Sequence, residues 1–117
     1  MRILIVEDNS YARLTLKVAI EKMGHTIVGE ACDFGEAIEK VNNIEYDLML
    51  LDILIPGGNG LDVIRHITGT NKKVIAITAV YQDEIDKELM RLGVKGIVRK
   101  PFSYDDLKDA IKKCCDE

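Results

Sequence analysis

Three runs of four apolar residues constrain this chain more than anything else in it: Ile3-Leu4-Ile5-Val6, Leu48-Met49-Leu50-Leu51 and Val74-Ile75-Ala76-Ile77. A shorter run, Ile97-Val98, follows the same habit. None shows the alternation of a strand with one wet face, and all are short for a buried helix. A strand that is apolar on both faces needs cover on both, which is the pattern of a parallel sheet between helical layers. Each run finishes in polar or charged residues: Glu7 and Asp8, then Asp52, then Thr78, and Lys100 after the last. In open α/β sheets ligands bind beyond the carboxyl ends of the strands. Three carboxylates, a hydroxyl and an ammonium are thus directed to one edge.

The segments between the runs have helical spacing. Ser10 is expected to cap a first helix with Ala12, Leu16, Ala19, Ile20 and Met23 inward, stopped by Gly24. A short strand from Thr26 to Glu30 follows, then a helix opened by Asp33 with Ala37, Ile38 and Val41 inward, ending near Asn42 and Asn43. The central strand is read from Asp47 to Asp52. Pro56-Gly57-Gly58-Asn59-Gly60 is a turn before a helix carrying Leu61, Ile64 and Ile67. A strand from Lys73 to Thr78 leads to a charged helix from Asp83 to Leu92, stopped by Gly93. The last strand runs from Lys95 to Arg99. Ser103 with Asp106 then forms a capping box for a helix with Leu107, Ala110, Ile111 and Cys114 inward. The sum is an α/β fold of (βα)5 type with right-handed crossovers.

At 117 residues the chain is read as one domain, 1–117, able to bury roughly two-thirds of its unfolded surface. With 47% apolar and 31% charged residues it reads as a globular protein. A net charge of −4 argues against nucleic acid or an anionic membrane as a partner held by bulk electrostatics. No apolar run approaches the ~20 residues of a membrane span. The first ends at Glu7, too soon for a signal peptide, so a cytoplasmic location is expected. Cys32 and the adjacent Cys114-Cys115 match no metal spacing and fit a reducing compartment. Redox regulation through the C-terminal pair is the alternative.

Asp8 and Asp52 come from different strands and would raise each other's pKa if brought together uncompensated. A divalent metal removes that conflict, and an all-oxygen set favours Mg²⁺. Glu7 could reach the ion through water. Lys100 could pair with Asp52 or an incoming phosphoryl oxygen, and Thr78 offers that oxygen a hydroxyl. A carboxylate nucleophile with a metal, an ammonium and a hydroxyl describes a phosphoryl-acceptor site. The residue before a proline is pushed from helical geometry, and a cis Lys100-Pro101 bond would fold Lys100 over the site.

At these residues the chain resembles the receiver domain of two-component response regulators. The resemblance covers essentially the whole chain. It rests on Glu7-Asp8, Asp52, Pro56 and Gly60, Thr78-Ala79, and Lys100-Pro101-Phe102. It implies a flavodoxin-like, doubly wound, five-stranded parallel sheet of order 2-1-3-4-5. It further implies a stand-alone signalling module rather than an enzyme on a separate substrate. Asp52 would accept a phosphoryl group from a sensor histidine kinase or phosphotransfer protein. Asp8, Asp52 and the backbone carbonyl of Leu54 would ligate Mg²⁺, with Glu7 acting through water. Thr78, Ala79 and Lys100 would contact the phosphoryl group and carry the switch, and the domain would catalyse its own phosphorylation and dephosphorylation.

Two departures from the family pattern matter. Ile97 stands where the family often places an aromatic that turns inward on activation; Tyr81 and Tyr104 are the candidate substitutes. Leu54 and Val80, two residues past Asp52 and Thr78, cannot orient an attacking water, so slow self-dephosphorylation is expected. The downstream partner is expected on the Asp83 to Leu92 helix, the fifth strand and the Ser103 to Cys115 helix. A metal-dependent phosphatase or phosphotransferase with an aspartate nucleophile is a competing reading, although Leu54 occupies the usual place of its second acid. A flavin- or nucleotide-binding protein is another, although Glu7-Asp8-Asn9 would repel phosphate.

Overall fold

The computed structural model describes residues 1–115. Strands and helices alternate along it: β1 (Arg2–Val6), α1 (Ser10–Lys22), β2 (Thr26–Ala31), α2 (Phe34–Asn43), β3 (Leu48–Asp52), α3 (Gly60–Ile67), β4 (Lys73–Thr78), α4 (Asp83–Arg91), β5 (Gly96–Arg99) and α5 (Tyr104–Cys115). The strands pair in parallel in the order β2-β1-β3-β4-β5. Both the (βα)5 reading and the implied strand order hold.

The apolar runs are apolar throughout because alternate residues feed two separate cores. Leu4, Val6, Met49, Leu51, Val74 and Ala76 pack with residues of α2, α3 and α4, among them Ala37, Val63, Ile64 and Leu89. Ile3, Ile5, Leu48, Leu50, Ile75 and Ile77 face the other way, onto Leu16 and Ile20 of α1 and Leu107, Ile111 and Cys114 of α5. Truncating any such fully buried leucine or isoleucine to alanine costs about 2–5 kcal/mol. These cores hold β1 and β3 side by side, in register from Ile3 opposite Leu48 to Val6 opposite Leu51. That pairing delivers Glu7, Asp8 and Asp52 to one place.

The helix ends follow their sequence signals with one correction. Asn9, not Ser10, is the N-cap of α1: its side chain accepts from the Ala12 amide at 2.9 Å, and Ser10 is already helical. Either residue type can cap, but Asn9 holds the extended backbone that aims its oxygen at the third helical amide. The Ser103–Asp106 box forms as expected, with reciprocal bonds of 3.0 Å. Smaller shifts occur elsewhere. β2 runs on to Ala31, β3 starts at Leu48 and β5 at Gly96, and α4 ends at Arg91 with Leu92 as its cap.

The loop after β3 does more than turn. A Cβ on Gly60 would lie 2.7 Å from the Ile53 backbone, so only glycine lets α3 start this close to the site strand. Asn59 caps α3 through the Leu61 amide at 2.8 Å.

Candidate functional site

The five residues singled out in the sequence meet at the carboxyl edge of the sheet. Glu7 is almost wholly buried, at 1% exposed, although it carries a carboxylate. Its Oε2 accepts from the Asn9 amide at 3.1 Å and its Oε1 from Lys100 Nζ at 2.5 Å. Asp52, 6% exposed, accepts from the Leu54 amide through Oδ1 at 2.9 Å and from Lys100 Nζ through Oδ2 at 2.8 Å. Lys100 thus bridges two strands' acids. Burial pulls its pKa down, but the bonds and charges of Asp52 and Glu7 outweigh burial and raise it above the usual lysine value. The ammonium is a fixed charge. The Lys100-Pro101 bond is cis, as expected.

Asp8 is exposed at the rim. Glu7, Asp8 and Asp52 each offer a carboxylate oxygen, and these oxygens lie within 4.8 Å of one another. One ammonium for three carboxylates leaves this edge strongly negative. An all-oxygen donor set with that surplus fits a hard divalent cation. Such an ion would also offset the repulsion between the acids.

Thr78 ends β4 and is fully buried, one residue beyond the point where Ile77 pairs with Asp52. Its Oγ1 accepts from the Val80 amide at 3.0 Å, which leaves its own proton for another acceptor. Ala79 is exposed next to it. Leu54 is exposed and Val80 half-buried, and neither side chain brings a polar group to the site. Ile97 is partly buried and packs against the core on the α2, α3 and α4 side of the sheet.

Two residues that the sequence reading passed over have structural roles here. Arg13 of α1 donates to the Glu7 carbonyl at 2.8 Å and to Glu30 Oε1 at 3.1 Å, tying the β1–α1 loop to β2. Arg99 donates to the Val80 carbonyl and to the Asp86 carboxylate, and its guanidinium lies 4.9 Å from the Tyr81 ring centre. A charged residue inside a strand otherwise made of Gly96, Ile97 and Val98 was the available signal. Tyr104 lies elsewhere, with the Lys22 ammonium 4.8 Å over its ring between α1 and α5.

A second acidic group, Cys32 with Asp33 and Glu36, is a helix cap. Asp33 accepts from the Glu36 amide at 2.8 Å, and Glu36 accepts from the Cys32 amide and thiol at 3.0 and 3.2 Å. The bond to Glu36 and then burial push the Cys32 thiol up, so it is a poor nucleophile.

Residues 3–112 match the family described as the response regulator receiver domain. The chain belongs to that family. Over 114 residues it is 35% identical to the chemotaxis protein CheY of Thermotoga maritima, spanning 96% of this chain and 95% of that one. It is 32% identical to the sporulation initiation phosphotransferase F of Bacillus subtilis, spanning 96% and 91% of the two chains. The CheY-like receiver domain protein of Methanospirillum hungatei superposes with a TM-score of 0.89 at 28% identity, over 98% of this chain and 93% of its own. This receiver is accordingly a phosphoacceptor domain of two-component signalling, a module that interacts with kinases, phosphotransfer proteins and downstream proteins. No described helix is long and apolar enough to cross a membrane.

Proposed function

We propose that Asp52 is the phosphoacceptor, that Asp8 and Asp52 with the Leu54 carbonyl hold Mg²⁺, and that Glu7 assists through water. One observation carries this reading: Asp52, on the central strand β3, stands between the acids that follow β1 and Thr78 of β4, bonded to Lys100 and grouped with Glu7 and Asp8. A bound Mg²⁺ would neutralise the surplus charge and draw phosphoryl oxygens toward the acids.

An Asp52 oxygen attacks phosphorus, the bond from phosphorus to the donor nitrogen breaks, and the imidazole leaves with that electron pair. Asp52 needs no base, because a carboxylate is ionised at neutral pH. Lys100 faces the developing negative charge, and the Thr78 hydroxyl donates to a phosphoryl oxygen. With acetyl phosphate the bond from phosphorus to the bridging oxygen breaks instead and acetate leaves with the electron pair, so the domain would catalyse its own modification from a small donor. Incubation with Mg²⁺ and acetyl phosphate should add one phosphoryl mass to the wild type and none to Asp52→Asn. Equal gain in both, or none in either, overturns the assignment.

The reverse step is slow in this reading, because Leu54 and Val80 offer an attacking water no partner. Leu54→Asn should hasten dephosphorylation roughly fivefold, the worth of one hydrogen bond of about 1 kcal/mol. An unchanged phosphoryl lifetime in that variant contradicts the argument.

The domain would work in the cytoplasm; the unbridged thiols of Cys32 and Cys115 agree with a reducing compartment. Its output surface would be α4, β5 and α5, where Met90 is exposed among the charges of α4. The donor would approach over α1, which presents exposed Tyr11, Leu14 and Val18 beside an apolar groove bounded by Ala79, Pro101 and Phe102.

A further inference from the structure

We propose that Arg99 latches the β4–α4 loop in the unphosphorylated receiver, and that Arg99 with Tyr81 and Asp86 reports phosphorylation in place of the aromatic missing at Ile97. The inference rests on the Asp52 and Thr78 roles given above and adds the route by which they reach the surface.

The geometry centres on Val80. Its amide hydrogen is held by the Thr78 hydroxyl at 3.0 Å, and its carbonyl is held by the Arg99 guanidinium. Arg99 is also the register partner of Thr78 across the β4–β5 pair and the neighbour of Lys100 along the chain. The same guanidinium bonds Asp86 in the first turn of α4 and lies over the Tyr81 ring. One side chain therefore joins the loop backbone, the helix and an aromatic otherwise open to solvent, 71% exposed. Ile97 on β5 is partly buried against the core and has no ring to turn inward.

Phosphorylation acts on this arrangement through Thr78. When the Thr78 side chain rotates to bring its hydroxyl onto a phosphoryl oxygen of Asp52, Oγ1 itself moves and its contact with the Val80 amide is given up. The peptide then shifts away from Arg99, the fork loses the Val80 carbonyl, and Tyr81 loses its cation. No bond beyond Asp52 is made or broken covalently; the change is a repacking of a two-position loop. Coupling is reciprocal, so a variant that opens the latch must also favour binding of a phosphoryl mimic at Asp52.

The test uses the whole chain labelled with 3-fluorotyrosine, the Tyr81 signal being assigned from Tyr81→Phe. Intact mass follows the phosphoryl group in the same samples. Phosphorylation of the wild type should move the Tyr81 signal. Arg99→Ala should place it near the phosphorylated position without any phosphoryl group, and should tighten binding of the phosphoryl mimic beryllofluoride on the order of fivefold. Arg99→Lys should behave like Arg99→Ala, because an ammonium lacks the fork that spans carbonyl and carboxylate. Asp86→Asn serves as a second route to an open latch if the Arg99 variants do not fold. A phosphorylated wild type with an unmoved Tyr81 signal overturns the latch and leaves the Asp52 assignment standing. So does an Arg99 or Asp86 variant with wild-type signal and wild-type beryllofluoride affinity. No phosphoryl mass in the wild type removes both.

Discussion

The two ends of the sheet handle charge in opposite ways. At the amino edge each ion pair is balanced and half open to water: Arg2 faces Asp47 at 3.1 Å and Lys72 faces Glu45 at 3.4 Å. At the carboxyl edge Lys100 serves Glu7 and Asp52 together, both acids are buried, and Asp8 adds a further negative charge. The first arrangement is worth little and asks nothing of a ligand. The second leaves a surplus of negative charge that a bound cation would offset. The difference is what separates a surface from a site.

Removing Lys100 is the harshest way to break the comparison. Lys100→Ala leaves Glu7 and Asp52 buried without a counter-charge and should cost about 3 kcal/mol of stability, as broken buried pairs do. Thermal and urea unfolding would measure it, and a loss no larger than that of Asp47→Asn would erase the contrast between the two edges. A smaller effect has the opposite sign. Mg²⁺ at ten times its dissociation constant should stabilise the wild type by about 1.4 kcal/mol through mass action. Asp8→Asn should lose most of that gain, and an equal rise in melting temperature for both proteins would place the ion elsewhere.

The amino edge should respond least. The bonds from Arg2, side chain first and then backbone, lower the Asp47 pKa from 3.8 to about 2. A carboxyl with a depressed folded pKa stabilises above its unfolded value and loses that contribution as pH falls through the folded one. The window is therefore pH 4 to 2. Asp47→Asn should flatten the stability profile there, by less than about 1 kcal/mol because the pair is exposed to solvent. An undiminished acid slope in the variant would assign that slope to other carboxyls.

The carboxyl edge was legible in the sequence to an unusual degree because each of its residues follows a buried run. Apolar runs fix the strands, strands fix the parallel pairing, and the pairing brings Glu7, Asp8, Asp52, Thr78 and Lys100 together. Local chemistry that several residue types can perform was less legible, as with Asn9 taking the cap expected of Ser10. Arg99 was missed for a different reason. Its partners Val80, Tyr81 and Asp86 are thirteen or more residues away and are set by where α4 packs, which no short-range pattern encodes. Gly60 sits between these cases: its place in the family pattern was visible, but its contact with the Ile53 backbone was not.

Among the three clustered acids, Asp52 is the proposed nucleophile. Borohydride reduces an acyl phosphate to an alcohol, which turns a phosphorylated aspartate into homoserine. Peptide mass mapping of the receiver, treated with Mg²⁺ and acetyl phosphate and then reduced, should find homoserine at position 52 and nowhere else. Reduction at Asp8 or Glu7, with Asp52 intact, would contradict the account.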